Sequence, residues 1–135
     1  MRKGVPLIDQ AREALARNAF PLFVSEGSSA AKKARIRHNA YLYQGLKQFS
    51  QNAKQGRHCI FIFGHSLAEN DDHILSRIGH GRCPKLYVGL YGDPDSPANK
   101  VIVDRAQALA GMRREERYPL EVAFYDAGSA QVWGA

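Results

Sequence analysis

The residues with the most chemical potential lie in Cys59-Ile60-Phe61-Ile62-Phe63-Gly64-His65-Ser66-Leu67-Ala68, an apolar run that empties into Glu69, Asp71 and Asp72. Gly64, Ser66 and Ala68 follow the G-x-S-x-G spacing of a strand-to-helix turn that presents a nucleophilic serine, with alanine in place of the second glycine. Such a serine needs a histidine base and an acid, and in that arrangement the base follows the last strands. The five histidines are His38, His58, His65, His73 and His80, so none follows position 80. In an elbow His65 points away from Ser66, and His73 falls about two turns into the next helix. A serine hydrolase is disfavoured, and no catalytic residue is assigned.

Metal chemistry fares no better. His65, Asp71, Asp72, His73, His80 and Cys83 are ligand types, but no pair among them has the spacing of HExxH or CxxC. Helix capping and solvent exposure account for them more simply, and no metal is expected.

The chain that must position these residues has 135 of them, enough for one domain with a single core. It is 44% hydrophobic and 24% charged, an ordinary balance for a globular protein. No apolar run approaches the ~20 residues of a membrane span, and no signal peptide is apparent. Cys59 and Cys83 form no CxxC pair, and Cys59 is expected to behave as a small hydrophobe inside a strand. Both features point to a cytoplasmic protein. The net charge of +6 collects in 31–38, 54–58 and 111–117. These segments suit solvated helix faces, or attraction for an anionic partner such as a nucleotide or nucleic acid.

Apolar periodicity predicts alternating helices and strands. Helices are expected over 6–18, over 30–38 with Ser28 or Ser29 as cap, over 40–51, within 71–81, and over 98–116 behind Pro97. Strands are expected near 21–25, 58–63, 85–91 and 120–125, and the unbroken apolar run at 58–63 reads as buried on both faces. The pattern is that of a three-layer α/β fold: a mainly parallel sheet of about four strands, with helices on both faces. Ligands in such sheets bind beyond the carboxyl ends of the strands. Those ends carry Ser25-Glu26-Gly27-Ser28, Gly64-His65-Ser66, Tyr91-Gly92-Asp93 and Tyr125-Asp126.

Four stretches, 21–42, 60–75, 86–93 and 122–133, together resemble the C-terminal part of the bacterial sirtuin-like family known as domain of unknown function 4917. The likeness runs over almost the whole of 1–135, read as a single domain, and implies a Rossmann-like fold. Members of the wider sirtuin-like group carry a G-[TY]-S-L turn that approaches a dinucleotide; Gly64, Ser66 and Leu67 match it, and His65 replaces the threonine or tyrosine. The resemblance therefore implies a nucleotide-type site for NAD or ADP-ribose at Ser25, Glu26, Gly27, Ser28, Gly64, His65, Ser66, Leu67, Gly92 and Asp93. The group's glycine-rich phosphate loop and its N-Y-D and L-H-G motifs have no counterpart here. The chain is expected to represent part of the family's domain, and not to be a complete enzyme alone.

Charge refines the expectation. Glu69, Asp71 and Asp72 suit a helix start but repel a pyrophosphate, so ribose hydroxyls fit that turn better. A phosphate fits better at Gly27-Ser28-Ser29, ahead of Lys32, Lys33 and Arg35. Two other roles compete with the nucleotide site. One is a self-associating interaction module, because a sheet lacking its first strands exposes an edge that a second copy or a missing N-terminal region would cover. The other is nucleic-acid binding through the basic helix 30–38, disfavoured because aromatics do not interleave with the lysines.

Overall fold

A computed structural model describes residues 27–132 and, ahead of them, Asp9, Arg12, Glu13, Ala16 and Arg17. Among the described residues lie α1 (Ser29–His38), α2 (Ala40–Ala53), β1 (Cys59–Ile62), α3 (Asp72–Gly79), β2 (Lys85–Leu90), α4 (Pro97–Gly111) and β3 (Glu121–Asp126). Short 3-10 turns at Glu69–Asp71 and Ala127–Ala130 complete them. The strand expected at 21–25 lies outside the described residues, as do Ser25, Glu26 and most of the helix expected over 6–18.

Local chemistry sets the helix boundaries. The Ser28 hydroxyl accepts the Ala31 N–H and caps α1. Asn39 then stands in extended backbone, and its side chain accepts the Leu42 N–H to start α2. Ser96 caps α4 through the Asn99 N–H, with Pro97 in the first turn, where a missing N–H costs nothing. That helix ends at Gly111, short of the expected 116.

The strands are parallel in the order β1-β2-β3, with Cys59 beside Lys85 and Lys85 beside Glu121. Alternation along each strand divides the sheet into two faces. Leu86 and Val88 point into the core, where they meet Leu75 and Ile78 of α3 and Ala106 and Leu109 of α4, with Ile60, Ile62 and Val122 packed against them. The fold belongs to the α/β class, with a small open parallel sheet of three strands among the described residues and both crossover helices on this one face.

The opposite face is aromatic. Phe61 and Tyr87, partners across β1 and β2, stack with ring centroids 4.4 Å apart. The Tyr125 ring crosses Gly89, and its hydroxyl donates to the Ile62 carbonyl at 3.1 Å. A Cβ at Gly89 would stand 2.9 Å from that ring, so the crossing requires glycine. Phe61 nevertheless remains 68% exposed, and Cys59 is exposed as well. The expectation that 58–63 is buried on both sides, with Cys59 in the interior, is corrected: only every second residue of β1 reaches the core.

At the opposite end of the sheet from the strand tips, one guanidinium ties the elements together. Arg113 is 1% exposed; its Nε donates to the Tyr118 carbonyl at 2.8 Å, and Nη1 donates to the carbonyls of Cys83 at 3.0 Å and Ile78 at 3.4 Å. It thereby fixes the end of α3 and the approaches to β2 and β3. Nearby, the Ala53 carbonyl at the end of α2 accepts the N–H groups of Arg82 at 2.7 Å and Cys83 at 3.1 Å.

Candidate functional site

The turn after β1 is built from its own polar side chains. Gly64 takes φ +64°, and Leu67, 2% exposed, takes φ 53°, a left-handed conformation that an L-residue adopts only when its surroundings impose it. His65 supplies part of that constraint. Its Nδ1 accepts the Leu67 N–H at 2.9 Å, so the neutral ring carries its proton on Nε2, which lies 3.2 Å from an Asp71 oxygen. Lys32 of α1 donates to the other Asp71 oxygen at 2.7 Å. From α4, Arg105 donates to the Ser66 carbonyl at 3.1 Å.

A second pair locks α1 to α3. The Ser29 hydroxyl accepts the His73 N–H at 2.8 Å and stands 3.3 Å from His73 Nδ1. The ring is buried, which corrects the expectation that solvent exposure accounts for it. Burial lowers the His73 pKa, reinforced by Lys32, Arg77 and Lys33 and opposed by Asp71. The hydrogen bond from Lys32 holds the Asp71 carboxyl below its ordinary value against the cost of burial, with the charges of Lys32, His65 and His73 adding to it.

Both shifts act on stability in the same direction. A group whose pKa is depressed by folding stabilises the fold above its unfolded pKa and loses that contribution as pH falls. The His73 contribution is complete above about pH 6.5 and declines below it, and the Asp71 contribution declines below about pH 4. Thermal melts across pH 7.5 to 5 should show the melting temperature falling below about pH 6.5, and His73→Gln should flatten that slope. An unchanged slope in the variant would remove His73 as its source.

These commitments decide what the turn can do. Both nitrogens of His65 are engaged and His73 Nδ1 faces Ser29, so neither ring is set as a base for Ser66, which is exposed. Lys32, the nearest cation expected to meet a phosphate at Gly27-Ser28-Ser29, is taken by Asp71, and the Ser29 hydroxyl is taken by His73. Gly27 keeps a positive φ of 143° and Ser28 acts as a helix cap. In the β1 turn, Asn70 Oδ1 is buried without a hydrogen-bond partner among the described residues.

The turn after β2 forms a second, separate arrangement. Gly92 takes φ +73°, and Asp93 accepts the Asp95 N–H on Oδ1 at 2.9 Å. Asn99, 5% exposed, donates from Nδ2 to the carbonyls of Asp93 at 2.7 Å and Tyr91 at 3.0 Å, clamping the turn to α4. Beside it opens a cavity of about 200 Å³, lined by Leu90, Gly92, Pro94, Phe124, Tyr125 and Asp126. Sequence reasoning missed Asn99, because an asparagine in a first helical turn reads as an ordinary capping residue.

The structure thus ties α1 to the segment after the β1 turn through Lys32 with Asp71 and Ser29 with His73, and places Gly92 and Asp93 after the neighbouring strand β2. Among the described residues no group of three histidine, cysteine or acidic side chains could hold a metal ion. No helix among them is long and apolar enough to cross a membrane. No curated protein and no solved structure matches the chain. A family model does, over residues 1–133, and on that match the chain belongs to the family described as domain of unknown function 4917.

Proposed function

We propose that the chain is a sirtuin-like, non-catalytic α/β module that takes an ADP-ribose-type nucleotide, NAD or ADP-ribose itself, at the carboxyl ends of β1 and β2. The observation that carries this reading is the pair of neighbouring strand-end glycines, Gly64 and Gly92, both with positive φ and both with open space where a Cβ would project. Their backbone is accessible to a ligand at the edge of a parallel sheet where ligands bind. The cavity beside Gly92 adds mainly apolar surface for it. Asp71, held charged by Lys32, suits ribose hydroxyls better than phosphate.

Thermal melts with ADP-ribose or NAD test this. Half a dinucleotide site of about millimolar affinity should raise stability by about 1.4 kcal/mol at about 10 mM ligand, or roughly 4 °C. The shift should saturate and should shrink in Ser66→Ala. A flat response up to about 10 mM rules out the site.

Catalysis is not part of the proposal, because the histidines nearest Ser66 among the described residues, His65 and His73, are engaged by other groups. Neither turnover of a nitrophenyl ester nor release of nicotinamide from NAD should depend on Ser66. Activity in wild type that vanishes in Ser66→Ala would show a complete active site.

The aromatic sheet face favours a second reading, a self-associating module. Parallel sheets are almost always covered on both faces, and Phe61 and Phe63 stand 68% and 41% exposed. Analytical ultracentrifugation of wild type and Phe61→Lys separates the two: a ligand-free dimer abolished by the substitution supports self-association.

A further inference from the structure

A groove on the outer side of α2, remote from the strand ends, collects positive charge without an acid to balance it. One stripe of α2, Tyr43, Lys47, Ser50 and Lys54, forms one wall at successive helical turns, and Arg77 of α3 closes the other. The residues follow a spacing of three or four, so the helix presents them along a single face. Leu46 makes an apolar floor, and the cavity holds about 280 Å³.

Three basic residues line this groove, and no carboxylate is among its lining residues. Three lysines elsewhere are paired with acids: Lys32 with Asp71, Lys85 with Glu121, and Lys100 with Asp95. Lys47, Lys54 and Arg77 have no such partner among the described residues, and the Nε of Arg77 is buried without a hydrogen bond. A helix carboxyl end accounts for one nearby cation, Lys54, through the helix dipole. It does not account for Lys47 or for Arg77 on the neighbouring helix. Converging like charges repel one another, and an anion reverses the sign of that interaction. An arginine and two lysines along one groove offer planar and point-charge donors to phosphate oxygens. The half-exposed Tyr43 ring supplies a surface on which a base can stack.

We propose that the groove between α2 and α3 is a phosphate-binding site that takes a nucleoside monophosphate, with its phosphate on Lys47, Lys54 and Arg77 and its base against Tyr43. The site is separate from the strand-end turns and does not depend on the reading given to them.

Backbone amide NMR of the full chain tests it, with AMP, ribose 5-phosphate, inorganic phosphate and adenosine as probes. AMP should shift the amides of 43–54 and of Arg77 saturably, and adenosine should bind at least tenfold more weakly. Ribose 5-phosphate should fall between them, which separates the phosphate contribution from stacking. Lys54→Gln and Arg77→Gln should each weaken AMP at least fivefold with an unchanged melting temperature, and Tyr43→Ala should weaken AMP but not inorganic phosphate. Equal binding of adenosine and AMP, or shifts confined to 64–67 and 92–94, would overturn the proposal. The second of those outcomes would instead support the strand-end site.

Discussion

Replacing Arg113 by alanine should destabilise the fold by about 3–5 kcal/mol, the largest loss expected from a single side chain. It donates to the carbonyls of Tyr118, Cys83 and Ile78, and to the Cys83 sulfur at 3.7 Å. Truncation strands the Cys83 and Tyr118 carbonyls, each unsatisfied group costing about 1–3 kcal/mol, while the Ile78 carbonyl keeps the Gly81 N–H; it opens a cavity as well. A domain of this size has a total stability of only about 5–15 kcal/mol, so the melting temperature should fall by roughly 10–20 °C. Arg113→Met refills the volume without restoring the donors and should recover about half of the loss. Urea unfolding checks both variants. A change below about 1 kcal/mol in the alanine variant would show that water replaces the guanidinium freely.

Gly81→Ala should be the second large effect, at about 2–4 kcal/mol. A Cβ there would stand 2.5 Å from the Ala53 carbonyl oxygen and 2.8 Å from that of Arg77, both of them backbone atoms that cannot swing aside. Moving the Ala53 carbonyl breaks its bonds from the N–H groups of Arg82 and Cys83. Because the Cys83 carbonyl in turn accepts from Arg113, the two substitutions share one network. Their effects should fall short of additivity by about 0.5–3 kcal/mol. Additive losses in the double variant would show that the two contacts are independent.

The legibility of the chain follows from the range of each signal. Leu86 and Val88 announce a strand because their neighbours repeat the pattern locally, and Ser28, Asn39 and Pro97 mark helix starts through contacts three residues away or fewer. Burial of a whole face is a different matter, because it depends on what lies across the sheet. Cys59 and Phe61 have the composition of core residues and stand in solvent, since the crossover helices gather on the other side. Arg113 misleads in the opposite sense. Within Arg113-Arg114-Glu115-Glu116-Arg117 it reads as one more surface charge, and only the tertiary arrangement of three carbonyls draws it inside.

At the site, Gly64 and Gly92 were legible as strand-end turns because the special backbone they adopt needs glycine. The fates of Lys32 and His65 were not. Both find Asp71, 39 residues from Lys32 in sequence, and no local pattern encodes that meeting.

The shared face of α3 and α4 has a consequence for where a crevice can form. Connections between adjacent parallel strands are right-handed almost without exception. The steps from β1 to β2 and from β2 to β3 move the same way across the sheet, so the chain winds in one sense from β1 to β3. A crevice between strand ends opens where that winding reverses and neighbouring loops part to opposite sides. Within these three strands it never reverses, so a ligand at the Gly64 and Gly92 turns lies over the strand ends and not between parted loops. The flank of β1 that faces away from β2 is the place where a strand wound in the opposite sense would begin, and the Gly64 turn sits at its tip.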